Sequence, residues 1–296
     1  MTISSTMARG LYQMPGCQHT QVHALQRVSA RVVLVAFLAL LPALPAHAQG
    51  GLEFARQLYN QGRFDQAITA AARLRATPVA DGANLVLGRS YLERFRKTTD
   101  RADLVAARAA LGEVRPAQLT SRDRTDYLVG LGESLYLEES YGPAAELFWG
   151  ALDHSQALGP RAFERVFDWW ATSLDRQAQS GEVDNRAALY TAMRDRAIAE
   201  LGRMPGSAAA AYWLVVAQRY LGDLTKAWDA ALAGWVRAPL GEDGGRALRA
   251  DLDQYVLQAL IPERVRLMAA SDRDRERAAT SLRAVWDGVK KDWPPK

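Results

Sequence analysis

The sequence predicts an all-α fold, and three observations support this. Alanine, leucine, arginine and glutamate, all good helix formers, dominate the 296-residue chain. Alternating β-branched runs bounded by turns, which would indicate strands, are almost absent. Glycine and proline divide the chain into segments of roughly 12–22 residues, a normal length for globular helices. These breaks fall at Gly62, Pro78, Pro116, Gly142-Pro143, Gly159-Pro160, Gly181, Pro205, Gly222, Pro239 and Pro262.

The first 48 residues are predicted to be a secretory signal peptide that is cleaved after Ala48. Arg27 and Arg31 precede an apolar run at residues 32–41, and a small-x-small triplet ends at Ala48. The run is too short to span a bilayer, which needs about 20 apolar residues. An uncleaved anchor is the alternative interpretation. We therefore expect a periplasmic or secreted protein with no stable membrane span after cleavage.

Loss of this segment would change the composition that matters for function. The chain has 37 basic and 33 acidic residues, and three of the arginines lie in residues 1–48, which leaves 34 basic against 33 acidic. This balance gives no electrostatic footprint for nucleic acid, so no nucleic-acid partner is expected. Cys17 and three of the four histidines also lie in this segment. Neither a disulfide nor a multi-histidine metal site can therefore form in the remainder.

An internal repeat organises the rest of the chain. Its clearest copy, RTDYLVGLGESLYLEESYGPAAELFWGALD, occupies residues 124–153, and LYNQGRFDQAI, around Gly62, has the same helix–turn–helix pattern. The pattern resembles the tetratricopeptide (TPR) repeat family, and the resemblance covers roughly half of the chain after Ala48. The weaker copies lie near residues 51–74, 81–111 and 208–239.

Within the clearest copy, small residues stand where two helices are expected to cross. Gly132 on the first helix and Ala144 on the second mark the closest approach, because larger side chains there would separate the helices. Phe148 is expected to fill the wedge against the next helix pair. The two facing sides consist of Leu128, Leu131, Gly132 and Leu135 and of Tyr141, Ala144, Phe148 and Ala151.

Several departures mark the chain as a divergent member. Glu139 replaces the turn glycine in the clearest copy, and the turn of the second copy, around residues 94–101, is expected to be about three residues longer than usual. Residues 160–204 form a helix pair that matches the pattern poorly. Trp170 falls on the apolar stripe of that pair, whereas the neighbouring Trp169 either packs on an adjacent repeat or is an exposed anchor for a partner.

The resemblance implies a right-handed superhelical solenoid of TPR-like antiparallel helix hairpins. Residues 49–239 are predicted to form the repeat array, and residues 240–296 to form C-terminal helices that cap the solenoid. In this last part we expect one helix over about 244–260, a short helix, and a final helix over about 273–291 with Ser271 as its cap.

The resemblance also implies a binding surface. In TPR proteins the inner, concave face comes from the first helix of each hairpin, at positions between the packing residues. We therefore expect an exported scaffold protein that binds a protein or peptide partner there, in bacterial envelope assembly or secretion. The alternative is that these are ordinary half-buried helix residues. The positions are Arg56, Tyr59 and Asn60 in the first copy, Val129, Glu133, Tyr136 and Leu137 in the clearest copy, and Tyr212, Val216, Arg219 and Tyr220 in the last copy.

No catalytic pattern accompanies the repeats. The sequence lacks G-x-S-x-G, H-E-x-x-H and P-loop motifs, so neither an enzyme nor a cofactor or metal is expected. His154 is interpreted as a histidine at a helix end. Two rival functions stay open. One is a helical glycan-acting enzyme that uses carboxylates such as Glu138-Glu139 or Glu242-Asp243. The other is a structural subunit of an envelope complex.

Overall fold

The regular structure of this chain is helical in every part that the structure describes. The computed structural model describes residues 43–180, 183–269 and 271–295, and within these ranges there is no strand. The predicted all-α class is therefore confirmed. The helices are α1 (Ala43–Asn60), α2 (Phe64–Ala72), α3 (Ala80–Thr98), α4 (Arg101–Gly112), α5 (Ser121–Leu137), α6 (Tyr141–Asp153), α7 (Ser155–Leu158), α8 (Pro160–Ser180), α9 (Val183–Arg203), α10 (Ala208–Tyr220), α11 (Leu224–Arg237), α12 (Arg246–Tyr255), α13 (Ile261–Met268) and α14 (Asp272–Asp292).

Most of the predicted signal peptide lies outside the described residues. The chain divides into two units, Met1–His47 and Ala48–Lys296, and only the helical residues 43–47 of the first unit are described. None of the helices described in the chain combines the length and apolar character needed to cross a membrane.

The helices of the second unit pack mainly against their neighbours along the chain. The helices form successive pairs, each with a first and a second helix. Within pairs, α3 contacts α4, α5 contacts α6 and α10 contacts α11. Between pairs, α2 contacts α3, α4 contacts α5, α6 contacts α8 and α9 contacts α10. In addition, α3 contacts α5, α5 contacts α8, α8 contacts α10 and α10 contacts α12. We call α1, α3, α5, α8, α10 and α12 the first helices. Sequential packing of this kind gives the chain an α-solenoid-like character.

Three turns between paired helices use left-handed backbone. Gly62 and Gly222 have φ of 72° and 82°, and Glu139, which stands in the place of the expected glycine, has φ of 60°. A fourth left-handed residue, Thr99 with φ of 57°, ends α3. The longer turn predicted at residues 94–101 is wrong, because α3 continues to Thr98 and α4 begins at Arg101. The additional residues extend a helix instead of a loop.

Small residues stand at the helix crossings, as predicted. A Cβ atom on Gly132 would lie 2.7 Å from Cε1 of Phe148, and a Cβ atom on Gly88 would lie 2.6 Å from Cγ of Leu111. Ala144 is fully buried. Phe148 is also fully buried, and its ring centroid lies 5.7 Å from that of Trp169 on α8. Phe148 therefore fills the wedge towards the next helix pair.

The C-terminal region is more continuous than the sequence suggested. A break was expected at Pro262, but Val256–Leu260 form a π-helical turn that joins α12 directly to α13. Pro262 is the second residue of α13, which directly follows this π-helical turn. Ser271 caps α14 as predicted, because its Oγ accepts a hydrogen bond of 3.2 Å from the N–H of Asp274. Trp286 anchors α14 in the core, 5.3 Å from the ring of Trp235.

Candidate binding groove

A groove of about 1010 Å³ runs across the first helices α1, α3, α5 and α8. Four successive helix pairs therefore contribute to one concave surface. We call this surface the first-helix groove. Its lining residues are Gly50, Glu53, Phe54, Arg56, Gln57, Tyr59, Asn60, Gln61, Leu85, Val86, Arg89, Thr120, Arg122, Asp123, Asp126, Val129, Ala157, Leu158, Ala162, Arg165, Val166 and Trp169.

The floor of the groove is apolar and its sides are charged. Val86, Val129 and Val166 are buried lining residues, whereas Phe54 on α1 has 56% of its surface exposed. Several arginines and aspartates stand between these apolar groups. Phe54 therefore gives the groove an accessible apolar contact beside its charged groups.

Arg56 links the first helix pair to the third. Its Nη2 donates to both carboxylate oxygens of Asp123 at 2.9 Å, and its Nη1 donates to Glu53 at 2.6 Å. The guanidinium passes close to Gly82 on α3, where a Cβ atom would lie 3.6 Å from Nη2 and 2.7 Å from Leu52. Gly82 therefore leaves room both for the packing of α1 on α3 and for this bridge.

Arg89 holds the middle of the groove. Its Nη1 donates to Asp126 at 2.7 Å, and its guanidinium carbon lies 5.1 Å from the ring centroid of Tyr59. Among the described residues, its buried Nε finds no hydrogen-bond partner. Burial raises the pKa of Tyr59 to about 12, although the positive charge of Arg89 acts in the opposite direction. The tyrosine is therefore a neutral hydroxyl at physiological pH.

Trp169 forms the end of the groove at α8 and lies between two arginines. The guanidinium carbon of Arg96 is 4.3 Å and that of Arg165 is 5.9 Å from its ring centroid. Only 9% of its surface is exposed, so it packs on the neighbouring helix pair as the first of the two interpretations proposed. Contact between a cation and an aromatic face contributes about 0.5–2 kcal/mol, more as water is excluded.

Beneath Trp169 lies the buried acid Glu133, which has 1% exposure. Its Oε1 is 3.2 Å from Nε of Arg96, yet the N–H does not point at the oxygen, so Oε1 lacks a hydrogen bond among the described residues. Burial raises the pKa of Glu133 to about 7, and the positive charges of Arg96 and Arg89 only partly oppose this effect. A proton can therefore bind to this carboxylate near neutral pH.

Arg122 is an exposed cation on the rim. It lies in the first turn of α5 and, within the described residues, makes no ion pair. Its neighbour Arg124 is also exposed, but it does not line the groove. The two side chains thus offer the same charge on the same helix in two different environments.

The groove contains four of the residues predicted for the concave face, Arg56, Tyr59, Asn60 and Val129. The others lie elsewhere. Glu133 is buried beneath the floor, and Val216 has 3% exposure, so little of either side chain is available to a partner. Tyr136 packs edge-on against Tyr141 with centroids 5.6 Å apart, and Leu137 packs against the core formed by α3, α4 and the loop that follows α4.

The three remaining predicted residues lie around α10. Tyr212 lines a smaller cavity of about 200 Å³ together with residues of α12 and the π-helical turn. The ring of Tyr220 stacks on that of Tyr190 at 4.5 Å, and 41% of its surface is exposed. Arg219 pairs with Glu263 and donates to the hydroxyl of Tyr255 at 3.2 Å.

Sequence reasoning missed several groove residues, namely Phe54, Arg89, Arg122, Arg165 and Trp169 as a lining residue. Arg89 lies in the copy near residues 81–111, where the repeat pattern is weakest, and Arg165 and Trp169 lie in the pair that matches the pattern poorly. A helix-face projection of α3 and α8, aligned on the buried positions, would have placed all three on the inner side.

Three of the four carboxylates considered for catalysis, Glu138, Glu242 and Asp243, have structural partners. Glu138 pairs with Arg108 at 3.0 Å, and Glu242 pairs with Arg161 at 2.6 Å. Asp243 accepts hydrogen bonds from the N–H groups of Gly245 and Ala247, both at 2.8 Å. His154 is exposed and ends α6. Over the described ranges, no group of three or more histidine, cysteine, aspartate or glutamate side chains could hold a metal ion.

Comparison of the chain with protein-family models, with curated proteins and with solved structures finds no match.

Proposed function

We propose that this protein is an exported, TPR-like scaffold that binds an extended segment of a partner protein in the first-helix groove. The observation that carries the proposal is the groove itself, because one continuous concave surface of about 1010 Å³ is built by four successive helix pairs. In this proposal the sequential packing is a right-handed superhelix of TPR-like hairpins, and the leader ending at Ala48 directs the protein to the periplasm or beyond.

The chemistry of the groove favours a peptide over a small metabolite. The exposed ring of Phe54 offers apolar contact for side chains, while Glu53, Asp123 and the arginines supply hydrogen-bond donors and acceptors along the groove. An extended backbone presents both N–H and C=O groups, so it can use both kinds of partner. The ion pairs of Arg56 and Arg89 already hold these side chains in place, which reduces the entropy lost on binding.

The proposal is tested by binding of the purified protein to an array of random dodecapeptides. We expect sequence-selective capture by the wild-type protein that decreases about tenfold in Arg122→Glu, because the reversed charge lies on the groove rim. Arg124→Glu makes the same charge change on the same helix outside the groove and should bind like the wild type. Absence of selective capture, or equal loss in the two variants, would overturn the proposal.

A further inference from the structure

A second recognition surface lies further along the first helices, around Tyr212. The cavity of about 200 Å³ there is lined by Tyr212 of α10 and by Asp251, Gln254, Tyr255, Gln258 and Ala259 of α12 and the π-helical turn. The rings of Tyr212 and Tyr255 meet edge to face with centroids 5.7 Å apart. This cavity therefore has two aromatic walls and an open, polar mouth.

Asp251 lines the cavity, and Asp168 and Asp175 lie close enough to Tyr212 for their charges to act on it. Asp168 accepts a hydrogen bond of 2.8 Å from Nε1 of Trp213, and Asp175 accepts one of 2.7 Å from the hydroxyl of Tyr190. Both donors are neutral groups. Within the described part of the chain, Asp168, Asp175 and Asp251 form no ion pair. No cation of the described residues therefore lies within ion-pair distance of these three carboxylates.

Arg219 is the cation that packs beside the same tyrosines. It contacts the hydroxyl of Tyr255 at 3.2 Å and lies over the ring of Tyr220, but its Nε is bonded to Glu263. The charges of Arg219 and Glu263 offset each other. The surface around Tyr212 consequently keeps the negative charge of the three aspartates.

The electrostatic environment of Tyr212 and Asp251 agrees with this geometry. Burial raises the pKa of Tyr212 to about 12, and the charges of Asp251, Asp175 and Asp168 act in the same direction. Burial also raises the pKa of Asp251, and repulsion by Asp168 adds to this effect. A cation placed between these carboxylates would relieve that repulsion.

We propose that this acidic–aromatic surface, formed by Asp168, Asp175, Tyr212, Asp251 and Tyr255, binds the ammonium or guanidinium group of a lysine or arginine in the partner segment. Carboxylates attract the positive charge, and aromatic faces favour cations through their quadrupole. The inference rests on the proposed binding of a peptide in the first-helix groove.

The two surfaces meet on α8. Trp169 lines the groove, and the preceding residue, Asp168, bonds to Trp213 of α10. The groove and the acidic–aromatic surface are therefore adjacent on this helix. The basic residue of the partner is expected at one end of the bound segment and not along its whole length.

The dodecapeptide array also tests this inference, with three proteins compared. Peptides captured by the wild-type protein should be enriched in lysine or arginine near one end. Asp251→Asn should weaken binding of these peptides about fivefold to tenfold, since it removes one charge that faces the cation. Asp229→Asn on α11 is the matched control, because Asp229 is also exposed and lies outside the cavity. It should bind like the wild type.

The possible failures are distinguishable. Selective capture that Arg122→Glu diminishes, without enrichment of basic residues, would overturn this inference and leave the proposed groove intact. Enrichment that survives in Asp251→Asn, or that Asp229→Asn removes equally, would also overturn it. Absence of any capture that depends on Arg122 would remove the proposed function and this inference together. A labelled peptide with one C-terminal or N-terminal lysine, compared with its glutamate counterpart by fluorescence anisotropy, gives the affinity ratio directly.

Discussion

Gly132 on α5 and Phe148 on α6 are in direct contact, because the glycine leaves the space that the phenylalanine ring occupies. A Cβ atom at position 132 would lie 2.7 Å from Cε1 of the ring. The same ring lies 5.7 Å from Trp169, which lines the first-helix groove. The crossing of one helix pair is thus connected through a single aromatic side chain to the candidate binding surface.

Gly132→Ala should therefore destabilise the protein. The methyl group has no space unless the ring of Phe148 moves, and overpacking of this kind costs about 1–3 kcal/mol. Thermal or urea unfolding measures the loss. Gly150→Ala on α6 is the control, since a Cβ atom there meets nothing closer than 3.7 Å. That variant should be neutral or stabilised by up to about 1 kcal/mol, through the higher helix propensity of alanine. Equal stability of the two variants would show that α5 and α6 do not cross as described.

The stability of the protein should depend on pH through Glu133. Its pKa is about 7 in the folded chain against an ordinary value of 4.5, so the folded state binds the proton more tightly than the unfolded state. The contribution of Glu133 to the free energy of unfolding is therefore most favourable below pH 4.5, and it decreases as the pH rises from 4.5 through 7. Because each pKa unit corresponds to about 1.4 kcal/mol, the loss should reach up to about 3 kcal/mol by pH 8.

Glu133→Gln removes this titration. Urea unfolding at pH 5 and pH 8 should show that the variant gains stability relative to the wild type at pH 8 and not at pH 5. Glu138→Gln changes a carboxylate near the end of the same helix that is paired with Arg108 at the surface, and it should leave the pH dependence as in the wild type. If the free energy of unfolding of Glu133→Gln changed between pH 5 and pH 8 as much as that of the wild type, Glu133 would not be the group responsible.

Asp81 should stabilise the loop that follows α4. Its carboxylate is buried and accepts hydrogen bonds from the backbone N–H and from Nη2 of Arg115, both at 2.8 Å. The Arg115 side chain, through its hydrogen bond, lowers the pKa of Asp81. Asp81→Ala leaves the backbone donor without its partner and should cost about 1–3 kcal/mol at pH 7.

This contribution should disappear in acid. A carboxylate with a lowered pKa stabilises the folded state above its unfolded pKa, near 3.9, and the stabilisation is lost as pH falls through the folded value. Arg115→Ala keeps the hydrogen bond from the backbone N–H. In urea unfolding at pH 7 it should therefore lose less stability than Asp81→Ala. A larger effect of the arginine variant would mean that the exposed ion pair, not the backbone contact, holds the loop.

Local sequence signals predicted the helices and their crossings well. The turn conformation of Gly62, the role of Phe148 and the cap at Ser271 each depend on a few neighbouring residues, so the repeat pattern contains them. The continuation of α3 to Thr98 and the π-helical passage before Pro262 were not predictable in this way. Both lie in segments that pack against neighbouring helices, and that packing is not contained in the local residue pattern.

The candidate site was only partly predictable, for the same reason. Arg56, Tyr59, Asn60 and Val129 follow from the repeat pattern, because two of the copies are regular there. Arg89 and Trp169 join the groove only once α3 and α8 are stacked beside α1 and α5. Val216 is an error of the other kind, because it was predicted to line the concave face but is buried in the core. The last copy is rotated relative to the register that the repeat pattern predicted.

The central claim is that a partner lies on the first helices and not on the opposite side of the repeat. Photo-crosslinking from p-benzoylphenylalanine placed at Phe54, which lines the groove, tests this in intact cells that produce the protein. Val105 on α4 is the matched position, since it is 65% exposed against 56% for Phe54 and lies outside the groove. We expect a discrete protein adduct from position 54 and none from position 105. An adduct from position 105 alone, or equal adducts from both positions, would contradict it.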